Sequence, residues 1–239
     1  MRHCFEGVLV KPTAAALSLT EEIKEKALSY GADMVGIVST ASIDAIPRHW
    51  IGWEYQTHSR GSGDYLEDSR SVVVMGYQAW DDVHEIQIMR RGRWEYPAYQ
   101  RMRLYARRLL RYLEGLGYRG VVYPELMSQK RMAQLAGLGA FGKSSLIINP
   151  VYGPWFRLQS ILTDAELVPD APFEEDLCGD CEACLEACPV GALSHYVVDP
   201  NKCSGRMNSM PSFTANSTLM CTECQRACPY GREERGLNP

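Results

Sequence analysis

Eight cysteines crowded into the 51 residues from Cys178 to Cys228 constrain this chain more than any other feature. They run Cys178-x2-Cys181-x2-Cys184-x3-Cys188-Pro189, then Cys203, then Cys221-x2-Cys224-x3-Cys228-Pro229. A segment so dense in thiols is either cross-linked by disulfides or wrapped around metal. The N-terminal stretch MRHCFEGVLVKPTAAALSLTEEIKEK has only a short, broken apolar run, so a secretory leader is not expected. The thiols are therefore expected to be metal ligands in a reducing, cytoplasmic setting. No run approaches about 18 apolar residues, and no membrane span is expected. Hydrophobic residues at 46% and charged residues at 23% of 239 exclude a disordered or collagen-like chain. The net charge of −4 argues against a strongly basic nucleic-acid binder.

The spacing separates iron–sulfur from zinc. A triple with gaps of two, two and three that ends in Cys-Pro is the two-cluster bacterial ferredoxin pattern. In it, three close thiolates wrap one [4Fe-4S] cube and the fourth ligates the other. Structural zinc would more often show separated C-x2-C pairs. The expected ligands are Cys178, Cys181, Cys184 and Cys228 for one cube. For the other they are Cys188, Cys203, Cys221 and Cys224, with Cys203 reached through a longer loop. Eight thiolates match eight iron sites and leave Cys4 spare, most simply as a free thiol. His195, just after the first run, is expected to be a surface or hydrogen-bonded histidine. Two cubes imply electron transfer from an external low-potential donor such as ferredoxin or flavodoxin, without specifying what is reduced.

Upstream, the pattern alternates between strands and helices. A helix is expected from Ser18 or Thr20, with Ser18 and Glu21 as a capping box and Gly31 as C-cap. Strands are expected at 33–40, 71–77 and 119–124, and helices at 99–116 and 128–136. FEGVLV is a candidate strand. Residues 41–70, with Trp50, Trp53 and Tyr55, read as a pocket-lining loop with short helical pieces. SLIIN (145–149) and 155–167 read as strands, paired as a hairpin around the Asn149–Pro154 turn. The whole is an α+β protein: an α/β domain over 1–168, a linker at Asp170, and a ferredoxin-like domain over 169–239.

Gly137-Leu-Gly139-Ala-Phe-Gly142-Lys143-Ser144 matches both GxGxxG and GxxxxGK[ST]. Both motifs require a strand before the glycines and a helix after them. Here MAQLA before them is helical in pattern and SSLIINP after them is extended, so a nucleotide site is not expected. A glycine-rich turn that lets backbone approach a bulky ligand or a domain interface fits better, with Lys143 supplying positive charge. Arginines 90, 91, 93, 101, 103, 107, 108 and 111 form a basic run opposed only by Glu95. Residues 164–186 carry nine acids and no lysine or arginine. The basic run is read first as a solvated helix face, and otherwise as a site for an anionic substrate, corrinoid side chain, RNA or acidic donor.

The stretch AGLGAFGKSSLIINPVYGPWFRLQSILTDAELVPDAPFEEDLCGDCEACLEACPVGAL closely resembles the core of epoxyqueuosine reductases, an architecture shared with the catalytic part of reductive dehalogenases. The resemblance extends weakly upstream through SVVVMGY and IKEKALSYGADMVGIV. It implies a nitroreductase-like first domain that holds cobalamin, with Gly137, Gly139, Gly142 and Lys143 near the corrinoid. It also implies electron delivery from the ferredoxin-like domain, and agrees with the cysteine assignment given above. Two departures stand out. Where those reductases place a catalytic aspartate, ungapped counting puts Tyr123, with Glu125 close by. These two are the candidate proton donors. The sequence also ends ten residues after Pro229, so a short form without the C-terminal helical-repeat domain is expected, which with the net charge makes transfer RNA a less favoured partner.

The leading expectation is a cobalamin-dependent reductase acting on a small organic molecule. The alternatives are a reductase that activates a separate corrinoid protein, and a non-catalytic electron carrier with a docking domain.

Overall fold

The computed structural model describes residues 12–51, 56–208, 210 and 212–232. FEGVLV, Cys4, Trp53 and Tyr55 lie outside the described residues. In chain order the first strands are β1 (Met34–Ser39), β2 (Trp50–Ile51), β3 (Thr57–His58), β4 (Ser71–Gln78), β5 (Ile86–Arg90), β6 (Arg93–Glu95) and β7 (Gly120–Val122). They are followed by β8 (Ala140–Phe141), β9 (Ile147–Ile148), β10 (Phe156–Thr163), β11 (Leu193–Ser194), β12 (Val197–Val198), β13 (Ser212–Thr214) and β14 (Ser217–Leu219). The helices are α1 (Ala14–Ser29), α2 (Thr40–Asp44), α3 (Pro97–Gly115), α4 (Gln129–Leu135), α5 (Ala183–Glu186), α6 (Pro200–Asn208) and α7 (Glu223–Ala227).

A four-stranded antiparallel sheet in the order β1-β4-β10-β7 forms the centre. Alternate residues of β4 face opposite layers. Val73, Met75 and Tyr77 join Ile23, Met102, Leu109 and Leu113 beneath α1 and α3. Val72 and Val74 join Ile43, Met132 and Ala133 beneath α2 and α4. Burial on both faces explains why this strand is an almost unbroken apolar run. α3 begins with Pro97 in its first turn and buries Met102, Ala106, Leu109 and Leu113 at helical spacing. Full burial of each of its leucines contributes about 1.5–3 kcal/mol.

Two local expectations are corrected. The cap of α1 is Thr13, whose Oγ1 accepts from Ala16 N at 3.1 Å, so the helix starts before the Ser18/Glu21 pair. Gly31 does follow the helix end, with φ +104°. The 145–149 segment does not pair with 155–167. β9 folds back on β8 across the glycine turn, because β10 has β4 on one side and β7 on the other.

A second four-stranded sheet, β13-β14-β5-β6, joins residues 86–95 to 212–219 across the position expected for the linker. The Arg226 guanidinium pairs with Asp82, and Thr222 Oγ1 donates to the same carboxylate at 3.0 Å. Trp155, 1% exposed, donates its indole N–H to Gln225 O at 3.2 Å. Asp170, the expected linker residue, is tied down: its carboxylate accepts from Lys24 Nζ at 2.5 Å and from Ile37 N at 2.7 Å. The C-terminal segment is thus joined to the first part of the chain by strand pairing and side-chain contacts as well as by the connecting chain.

Candidate redox centre and its cavity

The cysteine segment folds into short helices because Cys-x2-Cys spacing needs tight turns: Cys181 N donates to Cys178 O at 2.8 Å, and α5 and α7 follow. These turns sort the thiols into two sets. Cys178, Cys181, Cys184 and Cys228 line a small cavity of about 30 Å³ with Leu177 and Tyr230. Cys203, Cys221 and Cys224 line a much larger cavity, and Cys188 lines neither. Four of the expected ligands thus line one cavity and three line the other. Among the described residues no three His, Cys, Asp or Glu side chains are placed to hold a single metal ion.

Burial first, and neighbouring thiols second, push Cys224 up to about 12 and raise Cys203 and Cys184. Burial likewise pushes Cys228 up to about 11. Such thiols stay protonated near neutral pH and lose their protons only to a metal that replaces them. Two backbone N–H groups already aim at sulfur: Lys143 N at Cys178 Sγ, 3.4 Å, and Ala192 N at Cys188 Sγ, 3.2 Å. His195 is a surface residue bonded to Glu182, 2.6 Å away.

The large cavity measures about 850 Å³ and runs from the thiols to the first domain. Trp94, Tyr96, Tyr99 and Arg103 wall one side; Tyr123, Glu125, Gln129 and Lys130 wall another. β10 contributes Phe156, Arg157, Leu158 and Gln159. That size lies toward the upper end for ligand pockets, and apolar and aromatic walls interspersed with charged and amide side chains suit a large ligand with polar edges. Gln225 Oε1, buried and without a hydrogen bond among the described residues, adds a waiting acceptor to the lining. The residues present therefore fit a bulky macrocycle with a polar rim.

Tyr123 reaches the cavity because the chain reverses immediately after β7. Its φ is +51°, a left-handed conformation that costs a non-glycine residue about 1–2 kcal/mol. The turn is held by Tyr123 N donating to Ser160 O at 2.8 Å. Burial raises the Tyr123 phenol, Glu125 raises it further, and Arg103 works against both. Burial, together with Tyr123 and Tyr96, raises Tyr99 as well. Both phenols keep their protons through the neutral range.

Gly137, Gly139, Gly142 and Lys143 are not among the residues lining the large cavity, although Ser144, Leu146 and Ile147 next to them are. Their glycines are required by the chain's own packing. A Cβ at Gly139 would stand 2.3 Å from Ile148 O, one at Gly137 2.8 Å from Ala171 O, and one at Gly142 2.6 Å from the Ile148 side chain. Lys143, 7% exposed, faces the cysteine segment: its N–H meets Cys178 and its carbonyl accepts from Tyr196 N at 3.1 Å.

Sequence reasoning missed Tyr99, Lys130 and Arg157. Lys130 Nζ donates to Ser145 O at 2.6 Å; burial lowers its pKa, and Cys203 and Cys224 oppose that shift. Arg157 forms a buried ion pair with Glu85, the side chains 12% and 6% exposed, and burial draws its pKa down to about 10. Tyr99 stands at the start of α3, where the helical pattern alone gives no sign of a cavity. Of the basic run, Arg101, Arg103, Arg107 and Arg111 are exposed on α3, while Arg108 lies over the Tyr30 ring at 4.1 Å.

Residues 171–194 match the family model described as a 4Fe-4S binding domain. The chain is 29% identical over 259 residues to the epoxyqueuosine reductase of Synechococcus sp. strain RCC307, covering 96% of this chain and 80% of that one. It is 28% identical over 190 residues to the epoxyqueuosine reductase of Aliivibrio fischeri, covering 75% of this chain and 48% of that one. Among solved structures, epoxyqueuosine reductase from Bacillus subtilis superposes with a TM-score of 0.69 at 23% identity, covering 93% of this chain and 68% of that one. An epoxyqueuosine reductase with a modified tRNA-Tyr stem loop gives 0.68 at 22% identity, covering 90% and 66%. A catabolic reductive dehalogenase gives 0.66 at 19% identity, covering 94% of this chain and 34% of that one. Among the described residues no helix is long and apolar enough to cross a membrane. Over most of its length the chain is homologous in sequence to the epoxyqueuosine reductases, and it shares its fold with them and with the reductive dehalogenases.

Proposed function

We propose that the chain is an iron–sulfur oxidoreductase that passes electrons through two [4Fe-4S] clusters to a cobalamin in the large cavity, where an organic substrate is reduced. One observation carries this reading: cysteine thiols and two protonated phenols line the same cavity of about 850 Å³. Cys178, Cys181, Cys184 and Cys228 would hold the first cluster, and Cys188, Cys203, Cys221 and Cys224 the second. Trp94, Tyr96, Phe156 and Leu158 would enclose the corrinoid, with the Gln225 amide oxygen accepting from its polar rim. Cobalamin bound there supplies a redox-active cobalt to the substrate. Tyr123 and Tyr99 hold protons at their hydroxyl oxygens, poised for an anion developing on that substrate, and Glu125 lies beside Tyr123. Arg103 and Lys130 bring positive charge to the same space.

The test is a cobalamin titration of anaerobically purified protein, followed by absorption and by co-elution on gel filtration. The expected result is one cobalamin per chain at micromolar concentration, lost when Gln159→Trp fills the cavity. Wild-type protein that retains no corrinoid would leave the electron-carrier alternative in its place. A substrate carried on RNA is favoured by the exposed arginines of α3, which continue outward from Arg103 on the cavity wall. Affinity for a tRNA stem loop that falls steeply with salt, and weakens in Arg107→Ala, would support it.

A further inference from the structure

We propose that the Lys130 ammonium raises the reduction potential of the second cluster above that of the first, directing electrons inward to the cavity. The inference rests on the two-cluster reading. Lys130 shares the cavity wall with Cys203, Cys221 and Cys224, and its Nζ is fixed by Ser145 O at 2.6 Å. Among the described residues no carboxylate pairs with it. A buried ammonium without a carboxylate is costly unless another anion compensates it. The thiolates of the second quartet are the negative groups within electrostatic reach.

No cationic side chain lines the cavity of the first quartet, and Lys143 meets that quartet through its backbone N–H, 3.4 Å from Cys178 Sγ. That cavity is lined by Ser144, Ile148, Leu177, Pro229 and Tyr230 besides the cysteines, and none of these carries positive charge. Acids stand nearby instead: Asp176 Oδ1 accepts from Cys178 N at 2.9 Å, and Asp180, Glu182 and Glu186 belong to the same segment. Reduction adds one electron, and so one negative charge, to a cluster that already carries thiolate charge. A fixed ammonium stabilises the reduced form, and neighbouring carboxylates destabilise it. The two environments therefore order the potentials, the surface cluster lower and the cavity cluster higher. An electron supplied by the external donor then moves down the gradient toward the cavity. Lys130 is a positioning residue in this scheme, acting through the cluster and not on the substrate.

The experiment is an EPR-monitored redox titration of wild-type protein and of Lys130→Gln, Lys130→Met and Lys130→Arg. Each signal is assigned with Cys184→Ala and Cys224→Ala. Gln retains a donor for Ser145 O without the charge, so it separates charge from hydrogen bonding. The expected result in the Gln and Met variants is a fall of at least about tenfold in the reduced-to-oxidised ratio of the second cluster at fixed potential. That equals about 59 mV for a one-electron couple. The first cluster should hold its potential, and the Arg variant should stay close to wild type. An unmoved second cluster in an iron-replete Gln or Met variant, or equal movement of both clusters, overturns the inference. Iron lost only from the uncharged variants supports the charge pairing; iron lost from all three shows a structural role and overturns it. Wild-type protein with a single cluster refutes the two-cluster reading itself, a separate failure.

Discussion

Gly153→Ala should loosen the seam between the central domain and the cluster-bearing C-terminal segment. Gly153 has φ +58° and lies in a turn closed by two backbone bonds with Asn149, 2.8 and 2.9 Å long. An added Cβ would stand 2.1 Å from Tyr230 O and 2.5 Å from Tyr230 C. The carbonyl would have to recede by more than 1 Å to reach even the shortest ordinary contact, 3.4 Å. Tyr230 cannot move alone, because it lines the small cavity beside Cys228 and precedes Gly231, whose own Cβ would stand 2.3 Å from Tyr152 O. The left-handed conformation costs alanine about 1–2 kcal/mol, and the overlap adds to that. Gly92→Ala is the control: φ is +78° there, and nothing lies within 4 Å of the new Cβ. Anaerobic urea unfolding should show Gly92→Ala losing about 1–2 kcal/mol with full iron. Gly153→Ala should lose more, and should also lose iron from the first quartet. Equal stability loss and equal iron content in the two variants would refute the backbone-on-backbone seam.

Three further outcomes are expected. Arg157→Met leaves the Glu85 carboxylate buried and unpaired, and should cost about 3–5 kcal/mol in urea unfolding; adding Glu85→Met should recover most of it. If the single variant is neutral, the pair is not buried in solution. Burial, with Arg101 and Arg157, lowers the His84 pKa below its usual 6.5, so the unfolded chain takes up this proton first. Stability should therefore fall as pH drops from about 6.5 toward the lower folded value, and His84→Gln should flatten that segment of a urea-midpoint profile; an unchanged slope would exclude His84 as its source. Tyr123→Phe and Tyr99→Phe should each lower turnover of a reducible substrate while iron and cobalamin contents hold, and full turnover in both would remove the phenols as proton donors.

The features legible in the sequence were those written in local spacing. Thiol gaps of two and three residues marked the 4Fe-4S binding region at 171–194, the apolar run of β4 marked a strand buried on both faces, and Met102, Ala106, Leu109 and Leu113 marked the inner face of α3. The features that were not legible depend on distant partners. The strands at 86–95 and 212–219 are three to five residues long and carry charged or polar side chains, so nothing local announces that they complete one sheet. Nothing in the local sequence marks Lys130 and Arg157 as enclosed until Ser145 and Glu85 are brought to them. Tyr99 lines the cavity while also packing against the core, which helical spacing alone does not distinguish. The glycine motif signalled a close backbone approach, and the neighbours are Ile148 for Gly139 and Gly142 and Ala171 for Gly137.

Iron and acid-labile sulfide counts on anaerobically reconstituted wild-type protein and on Cys224→Ala test the two-quartet arrangement most directly. The arrangement predicts about eight of each per wild-type chain and about four in the variant, with the remaining cluster still reducible by dithionite. About four or fewer in the wild type, or zinc in place of iron with no sulfide, would contradict it.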